Sequence, residues 1–132
     1  MGMIHEIVFD CEKPPVLAQF WASLLEGYDV RPYDGEEIAR LSAIGLTPET
    51  DTTVMIDGPG PSLCFQNVEG RTRDYNRVHF DIEVSDRPSE VERLKQEGAS
   101  VDRVLPTYTV MRDPEGNQFC LVDQRIQTEI AA

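Results

Sequence analysis

In each half of this 132-residue sequence a histidine is followed by a cysteine, His5 by Cys64 and His79 by Cys120. Cys64 and Cys120 are 56 positions apart (120 − 64), and His5 and His79 are 74 positions apart (79 − 5). Imidazole nitrogens and thiolate sulfurs are the usual zinc ligands of proteins, so four such groups brought together would form a metal centre. Cys120 and His79 would instead suit a nucleophile and its base if the fold places them in contact.

The sequence around these residues repeats as well. Asp57 and Asp113 each begin a stretch rich in turn residues, and each stretch leads into an alternating strand that contains one of the cysteines. Further pairs at the same interval of 56 are Gly60 with Gly116, Leu63 with Phe119 and Phe65 with Leu121. The repetition predicts two equivalent modules at about 1–69 and 76–123, followed by a loose tail at 124–132.

Each module has the same predicted order of elements, a strand, a helix and then further strands, so the fold class is α+β. An extra helix lengthens the first module. The predicted helices are 14–26, 35–45 and a third that Asp86 caps and that runs to about Glu97. The predicted strands are 3–10, 28–32, 53–57, 62–68, 77–84, 100–104, 107–112 and 117–122.

Alternation within the strands separates an apolar face, which should carry the helices, from a more polar face. The polar face would hold a ligand, with Gln66 and Gln118 placed to orient it. Its predicted members are Ser62, Cys64, Gln66, His79, Asp81, Glu83, Gln118, Cys120 and Val122. In the first strand, His5 shares its side with Ile7 and Phe9. The four His and Cys side chains would then line one partly polar, partly aromatic pocket.

Asp81 and Glu83 lie on the same predicted face as His79. Burial would raise the pKa of Asp81 and make it a general base, whereas Glu83 is expected to be solvated at the wetter end of the strand. The other aromatic candidates for a pocket wall are Tyr28, Tyr33, Tyr108 and Trp21. Trp21 has helical spacing with three leucines and is expected in the core, as is Cys11, which has no partner in the repeat.

Charge and composition exclude several classes of partner. The chain has 24 acidic and 12 basic residues, a formal net charge of −12, which disfavours nucleic acids and anionic membranes. It contains neither an apolar run of membrane-spanning length nor a signal peptide, so we expect a cytoplasmic protein. Three widely spaced cysteines fit reduced thiols better than disulfides. The expected partner is a small-molecule ligand.

Four segments, 20–27, 63–68, 76–82 and 113–120, resemble the vicinal oxygen chelate superfamily, which includes glyoxalases, bleomycin resistance proteins and ring-cleaving dioxygenases. The resemblance covers nearly the whole chain and implies one glyoxalase-like domain. Two βαβββ modules would form an open β-barrel around a pocket, with the helices on the convex face, often in a homodimer. It also implies that the metal positions are His5, Cys64, His79 and Cys120.

Two interpretations of those four positions remain open. Metal-dependent relatives typically carry a carboxylate where this chain has Cys64 and Cys120, and a site of two thiolates and two imidazoles would suit a divalent metal such as Zn²⁺. Alternatively, the cysteines are small buried hydrophobes and the histidines are hydrogen-bonding pocket residues. The replaced carboxylates favour the second interpretation.

The same ambiguity extends to function. One hypothesis is a metal-dependent lyase or isomerase acting on a small oxygenated substrate, in which the metal stabilises an enolate-like charge and Asp81 is the base. The alternative is a metal-free protein that binds or sequesters a small aromatic or antibiotic-like molecule. Metal content distinguishes the two hypotheses.

Overall fold

The computed structural model describes residues 4–68 and 80–124. The chain divides into two units, 1–71 and 72–132, and each unit contains one four-stranded sheet. The two sheets have the same topology, so the predicted α+β class and the internal repeat are confirmed. The single domain and the barrel that the two modules would form together stay predictions.

Unit 1 contains four strands and two helices. The elements are β1 (Glu6–Cys11), α1 (Pro14–Leu24), β2 (Asp29–Val30), α2 (Gly35–Ala43), β3 (Thr53–Asp57) and β4 (Ser62–Asn67). The strand order is β1-β4-β3-β2, in which β1 is parallel to β4 and the other two pairs are antiparallel. A parallel pair needs a crossover, and α1 begins that crossover directly after β1.

Unit 2 repeats this arrangement with one helix fewer. Its elements are β5 (Phe80–Val84), α3 (Arg87–Gln96), β6 (Ser100–Val104), β7 (Tyr108–Arg112) and β8 (Gln118–Asp123). The strand order is β5-β8-β7-β6, and again only the first pair is parallel. The beginning of the strand predicted at 77–84 lies outside the described residues.

The helix ends follow the expected local chemistry. Asp86 caps α3 because its carboxylate accepts the backbone N–H of Ser89, and Asp34 caps α2 in the same way through Glu37. Gly98 follows α3 with a φ of 106°, a left-handed conformation that side chains disfavour. Sequence chemistry therefore sets both ends of α3 to within about two residues.

The core of unit 1 lies between α1 and its sheet. Trp21 is 1% exposed and Phe65 is fully buried, and the ring of Phe9 contacts both, with centroid distances of 5.2 and 4.9 Å. Cys11 is also fully buried. The core positions predicted for Trp21 and Cys11 are confirmed. In contrast, α2 buries no residue, so the predicted helix at 35–45 adds no buried side chain to this core.

The core of unit 2 forms in the same way between α3 and its sheet. Leu94 of α3 is fully buried, as are Met111 of β7 and Phe119 and Leu121 of β8. The predicted apolar face of β8 is thus confirmed.

The two turns that look alike in sequence differ in structure. Asp113 is 3% exposed, and its carboxylate accepts the backbone N–H groups of Glu115 and Asn117, each at 2.9 Å. Asp57 instead pairs with Arg31 and Ser62. Gly116 has a positive φ of 86°, whereas its sequence counterpart Gly60 does not have a positive φ. The repeated sequence therefore indicates that the two turns have the same position in their modules, but not that they have the same conformation.

Candidate functional site

The sheet of unit 1 packs against α1 with one face. Cys64 lies at the centre of the other face. In the β1–β4 register, Val8 lies directly across from Cys64, and on the other side Met55 lies across from it. Directly opposed residues share a face, so all three side chains lie on the face away from the Phe9–Phe65–Trp21 core. We call this surface the thiol face of unit 1.

Charged groups flank Cys64 on its thiol face. Burial is the main cause that raises the pKa of its thiol, and the nearby carboxylate of Glu6 raises it further. The guanidinium of Arg31 acts in the opposite direction. Arg31 directly follows β2 and continues its pairing with β3, because its backbone N–H donates to the carbonyl of Met55 at 2.9 Å. Cys64 is therefore a neutral thiol at neutral pH.

Unit 2 has an equivalent thiol face with Cys120 at its centre. Asp81 of β5 lies directly across from Cys120 on one side, and Val110 of β7 on the other. Burial again raises the thiol pKa most, followed by the charge of Asp81 and by a hydrogen bond from the thiol to its carboxylate. Arg103, which lies across from Val110, lowers it.

The two thiol faces carry the same three kinds of group, although Asp81 lies directly across from Cys120 and Glu6 lies two residues before the position across from Cys64. Each has a carboxylate on the first strand of its module, a buried thiol on the last strand and an arginine at the far edge. These groups are Glu6, Cys64 and Arg31 in unit 1, and Asp81, Cys120 and Arg103 in unit 2. The arginines occupy matching positions, because Met55 and Val110 are the neighbours of the two cysteines.

Strand register corrects one part of the predicted repeat. Val8 lies across from Cys64, and Asp81 lies across from Cys120, so the first strands align at an interval of 73 (81 − 8) rather than 74. The prediction failed because Ile7 and Phe9 were placed with the polar surface, whereas Phe9 packs in the helix-covered core.

The predicted site residues fall into three groups. Cys64 and Cys120 are buried, at 5% and 8% exposure, in their separate units. Gln66 is exposed and Gln118 half-buried, each on the thiol face of its unit, while His5 is exposed just before β1. His79 lies outside the described residues. Asp81 is exposed, so its own unit does not supply the burial on which the general-base hypothesis depends.

A metal centre requires several of these groups to meet. Among residues 4–68 and 80–124, no three His, Cys, Asp or Glu side chains lie close enough together to hold a metal ion. Burial and a neighbouring carboxylate raise the pKa of Cys64 and of Cys120, which favours the protonated thiol, whereas metals bind the thiolate. The predicted four-residue centre includes His79 and stays a prediction.

Sequence reasoning missed three contributors to the thiol faces, namely Glu6, Arg31 and Arg103. Glu6 would have been found by aligning the first strands on their half-buried apolar residues, Ile7 with Phe80 and Phe9 with Ile82. The arginines lie at strand edges, and only the pairing of β2 with β3 and of β6 with β7 brings them beside the thiols.

None of the helices in the described ranges is long and apolar enough to cross a membrane.

Solved structures with the same fold belong to glyoxalase-related proteins. A glyoxalase/bleomycin resistance protein/dioxygenase family enzyme from Burkholderia phytofirmans superposes with a TM-score of 0.65 at 12% identity, covering 92% of this chain and 98% of its own. The fosfomycin resistance protein FosX from Mesorhizobium loti gives 0.67 at 9% identity, with 100% and 99% coverage. The trypanothione-dependent glyoxalase I of Leishmania major gives 0.64 at 18% identity, with 99% and 93% coverage.

At these identities the superpositions establish the fold alone. No curated protein matches the sequence significantly. The family model described as “Glyoxalase-like domain” matches residues 6–122, nearly the whole chain. The match begins with β1 and ends within β8, so it includes every strand of both sheets. The chain therefore belongs to the family described as “Glyoxalase-like domain”.

Proposed function

We propose that this protein binds a small oxygenated molecule on its thiol faces, and that a carboxylate or similar anionic oxygen of the ligand pairs with Arg103. The observation that carries the proposal is a difference between the two matching arginines. Arg31 donates two hydrogen bonds to Asp57, at 2.7 and 2.8 Å. Arg103 is exposed, and no carboxylate in the described part of the chain forms an ion pair with it.

The rest of the thiol face of unit 2 supports the same class of ligand. Val110 is 2% exposed and, with the neutral thiol of Cys120, offers an apolar floor beside the guanidinium. Tyr108 and Val122 lie across from each other on the same face and extend it towards the end of β8. An arginine at the edge of an apolar surface favours a planar anionic group attached to a small hydrophobic body.

Binding without thiolate chemistry agrees with the charge state of the cysteines. Each thiol lies beside a carboxylate, and burial and that charge both raise its pKa. A nucleophilic or metal-binding cysteine needs a lowered pKa, usually from a positive neighbour. These thiols are better suited to contact a ligand than to react with it, as in a binding or sequestration protein for a small aromatic or antibiotic-like molecule.

A thermal-shift screen of small aromatic carboxylates and their neutral amides tests the proposal. Carboxylates should raise the melting temperature in a concentration-dependent way, since a ligand of the native state stabilises it. Arg103→Gln should lose the effect, whereas Arg40→Gln, which removes an exposed arginine of α2, should keep it. A flat response to all carboxylates, or equal loss in both variants, would count against the proposal.

The metal-dependent lyase or isomerase is the competing proposal, and it rests on His5, Cys64, His79 and Cys120. Metal content of untagged protein after incubation with Zn²⁺, Ni²⁺, Mn²⁺ or Fe²⁺ decides it. Stoichiometric metal that is lost in His5→Ala and His79→Ala would support an enzyme; metal-free protein would exclude this centre. The predicted homodimer and cytoplasmic location accompany both proposals and are checked by sedimentation and by fractionation of cells.

A further inference from the structure

A cleft of about 350 Å³ lies in unit 1 on the side of the sheet that carries α1, away from the thiol face. One wall comes from the first two turns of α1, and the other from Tyr33 and the loop that precedes β3. The lining residues are Pro15, Val16, Gln19, Val30, Tyr33, Pro48, Glu49 and Val54. This volume is at the lower end of the range typical of small-ligand sites.

The lining of this cleft is mostly apolar and contains one charged side chain. Five of its eight side chains are proline or valine, and Glu49 is its sole charged member. Glu49 is exposed at the mouth, and no cation in the described part of the chain forms an ion pair with it. A second cleft of about 250 Å³ shares Pro15, Val16 and Glu49, so the carboxylate lies where the two clefts meet.

Tyr33 supplies an aromatic wall that is held in place. Its hydroxyl donates a hydrogen bond of 2.7 Å to the carboxylate of Asp51, which fixes the ring orientation and orients the phenol as a donor. The face of a tyrosine ring attracts cations, and a nearby carboxylate increases that attraction. Tyr33 and Glu49 both line the cleft.

We propose that this cleft is a second ligand site, separate from the thiol faces, for a small organic cation: an ammonium group attached to an apolar or aromatic body. The body would fill the space between Pro15, Val16 and Pro48, and the ammonium group would lie between Glu49 and the ring of Tyr33. The formal net charge of −12 adds a general attraction for cations.

Isothermal titration calorimetry with benzyltrimethylammonium and, as the anionic control, 3-phenylpropionate tests the site. The cation should bind with micromolar to millimolar affinity, and the anion should not compete with it. Glu49→Gln should weaken cation binding about five-fold, the effect of one partly exposed charge pair. Val16→Arg should abolish it, because Val16 is 55% exposed at the cleft and arginine places bulk and positive charge there.

Glu26→Gln is the matched control, since Glu26 is an exposed carboxylate outside both clefts and should leave the affinity unchanged. Arg103→Gln should also leave it unchanged, which separates this site from the proposed carboxylate site. Lack of cation binding by the unmodified protein, displacement of the bound cation by 3-phenylpropionate, or equal losses in Glu49→Gln and Glu26→Gln would each overturn the proposal.

Discussion

Asp81 lies directly across from Cys120 on the neighbouring strand β5, and its carboxylate raises the pKa of the Cys120 thiol. Together with burial, this carboxylate holds the thiol in its protonated form. The same strand position in unit 1 is occupied by Val8, and the carboxylate that raises the pKa of Cys64 belongs instead to Glu6, earlier in β1. The two modules therefore keep their thiols neutral with different neighbours.

Removal of the Asp81 charge should make Cys120 more reactive. The pKa of Cys120 is raised by burial and by Asp81, so Asp81→Asn should lower it and increase the thiolate fraction at a fixed pH of about 8. The rate of alkylation by iodoacetamide, followed at this cysteine by peptide mass spectrometry, should rise several-fold. Glu83→Gln, which changes the other exposed carboxylate of β5, is the control; an equal rise there would show a non-specific effect of charge.

The ion pair between Arg31 and Asp57 should give unit 1 a small, pH-dependent stabilisation. Arg31 and then Ser62 lower the pKa of Asp57 to about 2. Because the pKa of Asp57 is lower in the folded state than its unfolded value of about 3.9, the ion pair stabilises the fold fully at pH values above about 3.9. That stabilisation is lost as the pH falls towards 2. Both side chains are partly exposed, at 50% and 42%, so solvent screening limits the pair to about 0.5–1 kcal/mol.

A double-mutant cycle of Arg31→Met and Asp57→Asn, measured by urea unfolding, isolates that coupling. The coupling energy should be largest at pH 7 and low salt, decline between pH 4 and pH 2, and shrink in 1 M salt. A coupling that is independent of pH would show that the two side chains stabilise the fold by packing rather than by charge.

Gly58 should not tolerate a larger residue. A Cβ there would lie 2.5 Å from the ring of Tyr28, whose hydroxyl donates to the carbonyl of Pro61 at 2.9 Å. Gly58→Ala should therefore destabilise the protein by about 1–3 kcal/mol, the usual cost of overpacking. In the Tyr28→Ala background the additional cost should largely disappear.

Gly35 provides the control for that substitution. It begins α2, and a Cβ there would meet nothing within 4 Å. Gly35→Ala should be neutral or stabilise the fold by up to about 1 kcal/mol, because alanine reduces the freedom of the unfolded chain. Thermal unfolding of both variants checks the pair, and similar losses at Gly35 and Gly58 would contradict the clash with Tyr28.

The sequence predicted those features that depend on local chemistry. Asp86 as a helix cap, Gly98 beyond the helix end and the alternation in β4 and β8 all follow from neighbours in the chain, and the structure confirms them. Strand register is different, because it is set by contacts between distant segments. A shift of one residue reverses every side chain, and the predicted interval of 74 between the first strands differs by one residue from the observed 73.

The candidate site was likewise predictable only where it depends on the sequence repeat. Both cysteines were identified from the repeat, and both lie at matching positions on their sheets. Arg31 and Arg103 were missed because a strand edge beside a thiol has no signature in sequence; it results from the pairing of β2 with β3 and of β6 with β7. Tyr33 was a candidate for a pocket wall, but the cleft beside it was not predicted, because its walls are separated along the chain.

Arg87 should be one of the most sensitive positions of unit 2. Its guanidinium donates to the carboxylate of Asp123, to the hydroxyl of Thr109 and to the carbonyls of Leu105 and Pro106, at 2.6–2.9 Å for the shortest bond to each. It thereby ties the start of α3 to the loop before β7 and to the end of β8. Its side chain is 13% exposed, so its removal would leave partly buried acceptors without donors.

Arg87→Lys should destabilise the protein by about 2–3 kcal/mol although it keeps the charge, because an ammonium group cannot reproduce the planar fork of donors. Arg93→Lys is the control, since Arg93 is on the same helix and pairs with Glu90 at an exposed position, where a change within about 0.5 kcal/mol is expected. Urea unfolding measures both. A loss at Arg87→Lys no larger than that at Arg93→Lys would show that the fork of hydrogen bonds is not needed and that charge alone stabilises this junction.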